Sequence, residues 1–262
     1  MQADIGVIIP TYNRVEETLA AVNSVKTQTL SPKVILVVDD GSDRYIFHKL
    51  KRKLIGTNVK LISIPKSGHP GVARKKGVEM LDTKWIAFLD SDDIWISNKL
   101  EHQFDLVRKL QIKAICSNAF VNEEIGNTYF QNEKSGIITM HSLLNNNKIL
   151  TSSVLIQREE LISVGSFVDS NEVRGAEDYA TWLRIALNNK WYYSAKPLVV
   201  YADNSIDSFR KTKVNNKQYI QQIGLIDFQI WLENCDLTKS FFVKLYFRLL
   251  PKLIYLGIKW KT

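Results

Sequence analysis

An α/β fold, with helices flanking a mostly parallel sheet, is predicted by three features of this 262-residue sequence. Short β-branched runs alternate with longer amphipathic segments over the first 90 residues, the pattern of strands joined by right-handed helical crossovers. Each early run ends on a polar stretch, as expected where ligands bind at the carboxyl ends of strands in an open sheet. The composition, 45% hydrophobic and 24% charged, belongs to a folded globular chain rather than a disordered one.

In order along the chain, Ile5 to Pro10, Lys33 to Val38, Val59 to Ile64 and Trp85 to Leu89 read as strands. The intervening Val15 to Thr29, a weaker Tyr45 to Ile55, and Val72 to Leu81 have the three-to-four spacing of helices. A helix is then expected from Asn98 to Leu110, a strand from Ala114 to Val121, and loops with a short helix at Met140 to Leu144 across residues 122–150. A strand from Ser153 to Ile156, a helix from Ala176 to Asn188 and a strand from Trp191 to Tyr201 follow. From Asn215 onward the pattern is helical, with Pro251 as a break. No repeat or low-complexity linker divides the chain, so a rigid two-part unit is expected, with halves at 1–97 and 98–212 and a C-terminal segment at 213–262.

Cys116 and Cys235 lack CxxC spacing, which speaks against a disulfide framework and a thiolate zinc site and for a reducing compartment. No signal-peptide pattern opens the sequence, so a cytoplasmic location is expected. The net charge of +8 points to an anionic partner: nucleic acid, an acidic membrane surface or a phosphorylated small molecule. Part of that charge sits in Lys239 to Thr262, where six Lys or Arg and no acid are interleaved with aromatic and aliphatic residues.

The strand ends carry Pro10-Thr11-Tyr12-Asn13-Arg14, Asp39-Asp40-Gly41-Ser42, Pro65 to Gly71, and Asp90-Ser91-Asp92-Asp93. Like charges packed this closely repel by about 1 kcal/mol in water and by more when partly buried. A divalent cation with oxygen ligands and a substrate phosphate would relieve that repulsion; a solvated acidic turn capping the next helix is the plainer reading. Asp39-Asp40-Gly41-Ser42 is equally an ordinary turn signal. Gly71-Val72-Ala73-Arg74 opens a helix whose amides favour a phosphate, with Arg74 able to add a charge-assisted contact; an exposed arginine is the alternative. Tyr12 could stack on a base or cover the sheet end. At Gly175-Ala176-Glu177-Asp178-Tyr179, helical spacing puts Asp178 beside Trp182 and Glu177 about 100° away around the axis. A partly buried Asp178 suits a general base, and first-turn acids favoured by the helix dipole are the competing explanation.

These motifs, with Val164-Gly165-Ser166-Phe167 and the run from Glu177 to Arg184, resemble in order and spacing the family 2 glycosyltransferases of the GT-A fold. The resemblance implies inverting transfer of a sugar from a nucleotide-diphosphate donor, by default a UDP-sugar. It assigns Pro10, Tyr12, Arg14, Asp40, Arg74, Asp90 and Ser91 to the donor nucleotide, with 1–97 as the nucleotide-sugar half. Asp90, Asp92 and Asp93 would hold Mn2+ or Mg2+, Asp178 would be the catalytic base, and Glu177, Trp182 and Arg184 would lie on the acceptor side in the 98–212 half. Ala73-Arg74-Lys75 departs from the Ala-Arg-Asn of many relatives, and residues 122–150 follow no family pattern.

Bacterial relatives build O-antigen or capsule repeats, which implies a saccharide acceptor on undecaprenyl diphosphate. The basic, aromatic residues 239–262 would then lie on the anionic inner face of the cytoplasmic membrane, or pack on the main domain. They are too short in apolar run to span it. A receiver-type phosphorylation module would leave the 177–184 motif without a role. A sugar nucleotidyltransferase would need a glycine-rich loop after the first strand. A nucleic-acid binder should not place its basic face over a carboxylate-lined crevice, so no nucleic-acid partner is expected.

Overall fold

The computed structural model describes residues 2–122, 127–202 and 217–235. Its first half is built from β1 (Gln2–Thr11), α1 (Val15–Lys26), β2 (Ser31–Asp39), α2 (Arg44–Leu54), β3 (Val59–Ser63), α3 (Pro70–Met80) and β4 (Trp85–Phe88). The second half holds β5 (Ile94–Trp95), α4 (Lys99–Leu110), β6 (Ala114–Val121), β7 (Gly136–Ile138), α5 (Met140–Asn145), β8 (Leu155–Gln157), α6 (Arg158–Ser163), α7 (Glu177–Ala186) and β9 (Trp191–Tyr201). The helix α8 (Lys217–Asn234) closes the described chain. One sheet runs in the order β3-β2-β1-β4-β8-β6-β9-β5, with β7 also paired to β9.

Both faces of this sheet are covered, which is why its strands read as near-continuous apolar runs. Alternation divides them cleanly. Ile5, Val7 and Ile9 of β1 with Ile35 and Val37 of β2 pack under α1, α2 and α4, against Val22, Val25, Leu50, Leu54, Leu100 and Val107. Ile8, Leu36, Val38, Ile86 and Phe88 pack on the other face, against Val78 of α3 and Trp182 and Leu183 of α7. The pairs β1·β2, β1·β4 and β2·β3 are parallel, so these strands bring their carboxyl ends to one edge.

The expected strand Ser153 to Ile156 is displaced, and its direction changes the sheet. Thr151–Ser153 forms a turn of 3-10 helix, and β8 follows antiparallel between β4 and β6. The cause is topological: residues 139–150 bring the chain to the carboxyl-end edge, so it re-enters the sheet from that side. Trp85, which opens β4, accordingly pairs with Gln157, which ends β8. The strands β5 and β7, too short to show a period in sequence, pair with β9 at Trp95↔Val199 and Ile137↔Tyr192.

Cys116 and Cys235 are free thiols. No helix among the described residues is long and apolar enough to cross a membrane. The expected basic, aromatic segment 239–262 and the break at Pro251 lie outside the described residues.

Candidate active site

The crevice is assembled by loops that tie strand ends to one another. Asn13, in the left-handed region at φ 52°, donates its backbone N–H to Ser42 Oγ at 2.8 Å and accepts from Asp43 N at 2.8 Å through Oδ1. The ends of β1 and β2 are thereby joined. Asp40, nearly buried, accepts from Ser67 N and Ser67 Oγ, each at 2.8 Å, and from Gly68 N at 2.9 Å. Gly41 has a positive φ of 68°, and any Cβ there would stand 2.5 Å from Lys66 N, so this turn requires glycine. Asp40 thus acts as the clamp on the loop after β3, with both oxygens engaged by that loop. Pro10 is buried inside β1. Tyr12 is partly exposed, and Lys66 donates to its Oη at 2.6 Å and lies over its ring.

Arg74 lies at the centre of the acidic groups. Expected to contact a base or diphosphate, it is instead 5% exposed and bridges two carboxylates. Its Nη2 donates to Asp90 Oδ1 at 2.6 Å and its Nη1 to Glu177 Oε1 at 3.1 Å. Burial works against its charge, but Asp90 and Glu177 outweigh that and hold the guanidinium protonated. The helix that carries it is seated by His69, whose Nδ1 accepts from Gly71 N at 3.1 Å while Nε2 meets Ser170 O at 3.0 Å.

The acidic cluster after β4 separates into distinct roles. Asp92 pairs with Arg14 Nη1 at 2.5 Å; burial and the neighbouring Asp90 raise its pKa despite that partner. Asp93 has other partners. Its Oδ2 accepts from Ser152 Oγ and its Oδ1 from Ala202 N, and burial and then Asp90 push it well above the carboxylate range. Ser91 is buried. Asp90 and Asp92 are the two carboxylates of this cluster that could hold a hard divalent cation, and each is paired with an arginine, Arg74 and Arg14. Asp93 is spent on holding Ser152 and the end of β9. Among the described residues no group of three His, Cys, Asp or Glu side chains forms a metal-holding cluster.

Across the crevice, Asp178 lies in the first turn of α7. Its Oδ1 accepts from Tyr179 N at 2.6 Å and its Oδ2 from Thr151 Oγ1 at 2.9 Å. Burial and then the charge of Glu177 push its pKa up to about 6, with Arg74, Thr151 and Tyr179 N opposing. A carboxylate titrating there is suited to accept a proton near neutral pH.

The residues expected on the acceptor side are all engaged within the protein. Glu177 is buried, held by Arg74 and by Gly175 N at 2.7 Å. Trp182 is fully buried among Phe88, Phe167 and Trp191, with ring centroids 5.2 Å from Trp191 and 5.3 Å from Phe167; the period that put it beside Asp178 serves the core. Arg184 bonds Asp227 of α8 at 2.6 Å and lies over the Trp231 ring, so it fastens α8 to α7.

Thr151 and Ser152 carry no motif and were missed. Ser152 Oγ accepts from Asp90 N at 3.0 Å and donates to Asp93, one residue from the hydroxyl that holds Asp178. Arg74 and this turn are two independent bridges between the end of β4 and the start of α7.

Comparison with known proteins identifies the family. The chain is 32% identical over 188 residues to the UDP-Glc:alpha-D-GlcNAc-diphosphoundecaprenol beta-1,3-glucosyltransferase WfgD of Escherichia coli, covering 71% of this chain and 70% of that protein. It is 28% identical over 245 residues to an uncharacterized glycosyltransferase of Rickettsia bellii, covering 90% of this chain but spanning only 34% of that longer relative. The crystal structure of S. aureus TarS 1-349 in complex with UDP-GlcNAc superposes with a TM-score of 0.70 at 18% identity, over 90% of this chain and 68% of that one; this likeness establishes the GT-A fold. The Glycosyl transferase family 2 model matches residues 6–167, more than half of the sequence and all of the donor-side crevice through Asp93. On that match, and on a relative above 30% identity aligned over most of its length, the chain belongs to glycosyl transferase family 2.

Proposed function

We propose that this chain is an inverting glycosyltransferase that moves a sugar from a UDP-sugar to a saccharide carried on undecaprenyl diphosphate. The observation that carries the reading is the pairing of two stations: the Asp90/Asp92 carboxylates after β4 and a half-buried Asp178 with a pKa of about 6, linked through Arg74 and the Thr151–Ser152 turn. The donor and acceptor classes are supported by WfgD, whose name specifies both.

In this reading an acceptor hydroxyl gives its proton to Asp178 as its oxygen attacks the sugar's anomeric carbon from the face opposite the leaving group. The new C–O bond forms as the bond to the UDP β-phosphate oxygen breaks, and that electron pair leaves with UDP. Asp90 and Asp92 are the residues that would hold Mg2+ or Mn2+, and a bound cation would offset the charge that builds on the departing diphosphate. Arg14, paired with Asp92, would meet the diphosphate from the β1 loop. Tyr12 offers its ring to the base, while Asp40 and Pro10 shape the base's wall through the loop and strand they fix. Residues 239–262, with six cations and no acid, support attachment to the anionic cytoplasmic face of the membrane, where such an acceptor is displayed.

The test is UDP release from UDP-glucose and UDP-GlcNAc with Mn2+ or Mg2+, with and without a synthetic GlcNAc-diphosphate-alkyl acceptor. Acceptor-dependent release is expected with at least one donor. Asp178→Asn should lower turnover by about 10²- to 10⁴-fold while metal-dependent UDP binding persists, and Asp92→Ala should remove that binding. An Asp178→Asn enzyme of normal turnover would refute the assignment of the base.

A further inference from the structure

From Arg44 to Val78 the chain contains no Asp or Glu, and it carries ten Lys or Arg. Five of those ten are engaged with neighbours: Lys49 with Glu16, Lys66 with Tyr12, Arg74 with Asp90 and Glu177, Lys75 with Asp169, and Lys76 with Glu79. The other five, Arg44, Lys51, Arg52 and Lys53 on α2 and Lys60 on β3, are exposed and form no ion pair among the described residues; Lys53 lies off to one side of α2, away from Arg44, Lys51 and Arg52. Counting about 100° per residue, these last three fall on one arc of roughly 120° together with Tyr45, His48 and Ile55. The opposite side of α2 is anchored in the core by Leu50 and Leu54, which are 2% and 6% exposed.

Two large apolar side chains stand out on this basic arc. Tyr45 is 71% exposed and Ile55, at the C-cap, is 72% exposed. A single exposed apolar side chain is ordinary on a soluble surface, and aromatic residues also serve protein interfaces, but these two stand at the two ends of a cationic stripe. A bilayer surface uses both features: cations meet anionic headgroups, and aromatic and aliphatic side chains enter the boundary beneath.

We infer that the outer face of α2 is a docking surface for an anionic lipid bilayer, formed by Arg44, Tyr45, His48, Lys51, Arg52 and Ile55. The surface is carried by the main domain and is separate from residues 239–262. It does not depend on which sugar or acceptor the enzyme uses. Because α2 begins five residues beyond the end of β2 and Asp43 is tied to Asn13, docking here holds the donor-side loops at a set height above the membrane.

The experiment is co-sedimentation of the full chain with phosphatidylcholine vesicles, with and without phosphatidylglycerol, at low and high salt. The parent protein should bind only the phosphatidylglycerol vesicles, and less at high salt. Lys51→Glu with Arg52→Glu should weaken partition at least about tenfold, with unchanged thermal melting and unchanged UDP-sugar turnover in solution. Tyr45→Ser with Ile55→Ser should also weaken partition, although it leaves the net charge intact. Vesicle binding that neither pair alters would overturn the proposal, because residues 239–262 would then carry all attachment. Equal binding to both vesicle types would overturn it too, as would duplex DNA that competes with the vesicles at equal phosphate through the same two cations.

Discussion

Asp178 concentrates the proposed chemistry in one carboxyl group, and its surroundings dictate how it should titrate. Activity should rise with pH through about 6, because the base works only when deprotonated and burial and Glu177 hold its proton to that point. Stability should move the opposite way. A folded carboxyl raised from 3.8 to about 6 favours the folded state below pH 4 and loses that contribution as pH rises through 6. Thermal melts of the parent and Asp178→Asn proteins across this range should therefore show the parent losing ground to the variant as pH rises. Thr151→Val removes a donor that favours the charged form, so the acid limb of the pH–rate profile should move up by as much as about one unit. Thr151→Ser should restore it, and a Val variant with the parent profile would mean that the 2.9 Å contact to Asp178 does not tune the base. Asp178 was legible as a candidate because an acid in a first helical turn can be recognised by position. Thr151 was not, since a hydroxyl becomes a partner only when the chain 27 residues away folds back onto it.

At the scale of elements, the helices are held against the site by contacts that sequence period does not reveal. Gly71 opens α3 so close to the neighbouring loop that a Cβ would stand 2.4 Å from Val168 O. Gly71→Ala must shift backbone, and urea unfolding should show a loss of about 1–3 kcal/mol, with Arg74 displaced from Asp90. The helix α8 is fastened to α7 by the largely buried Arg184–Asp227 pair and by Phe228 and Leu232. Arg184→Met should cost about 3 kcal/mol of stability by stranding Asp227, while leaving the KM for acceptor unchanged. A selective rise in that KM would return Arg184 to the acceptor side, where the family motif put it. The motif from Glu177 to Arg184 was visible in sequence, but a helix shows several faces. Which of them met substrate, core or another helix depended on the packing of Trp182 among three aromatic rings.

For the whole molecule, two membrane contacts are proposed: the α2 face and residues 239–262. If both attach, deleting 239–262 and reversing Lys51 and Arg52 should each weaken partition onto phosphatidylglycerol vesicles, and together should abolish it; a deletion without effect would leave α2 as the sole attachment. The first four strands, their order of appearance and the convergence of their polar ends were determined by the sequence alone, because buried parallel strands must be apolar on both faces and their crossovers must be amphipathic. The acidic cluster at Asp90 to Asp93 was likewise visible as an electrostatic problem. Only the tertiary structure decided how that problem is resolved, giving Asp92 to Arg14, Asp90 to Arg74, and Asp93 to Ser152 and Ala202. It also decided that β8 enters the sheet antiparallel and sets Thr151 and Ser152 between the two halves. Local pattern records burial and period over a few residues, whereas the partners of a buried charge are chosen by whichever distant segments the topology brings within hydrogen-bonding distance.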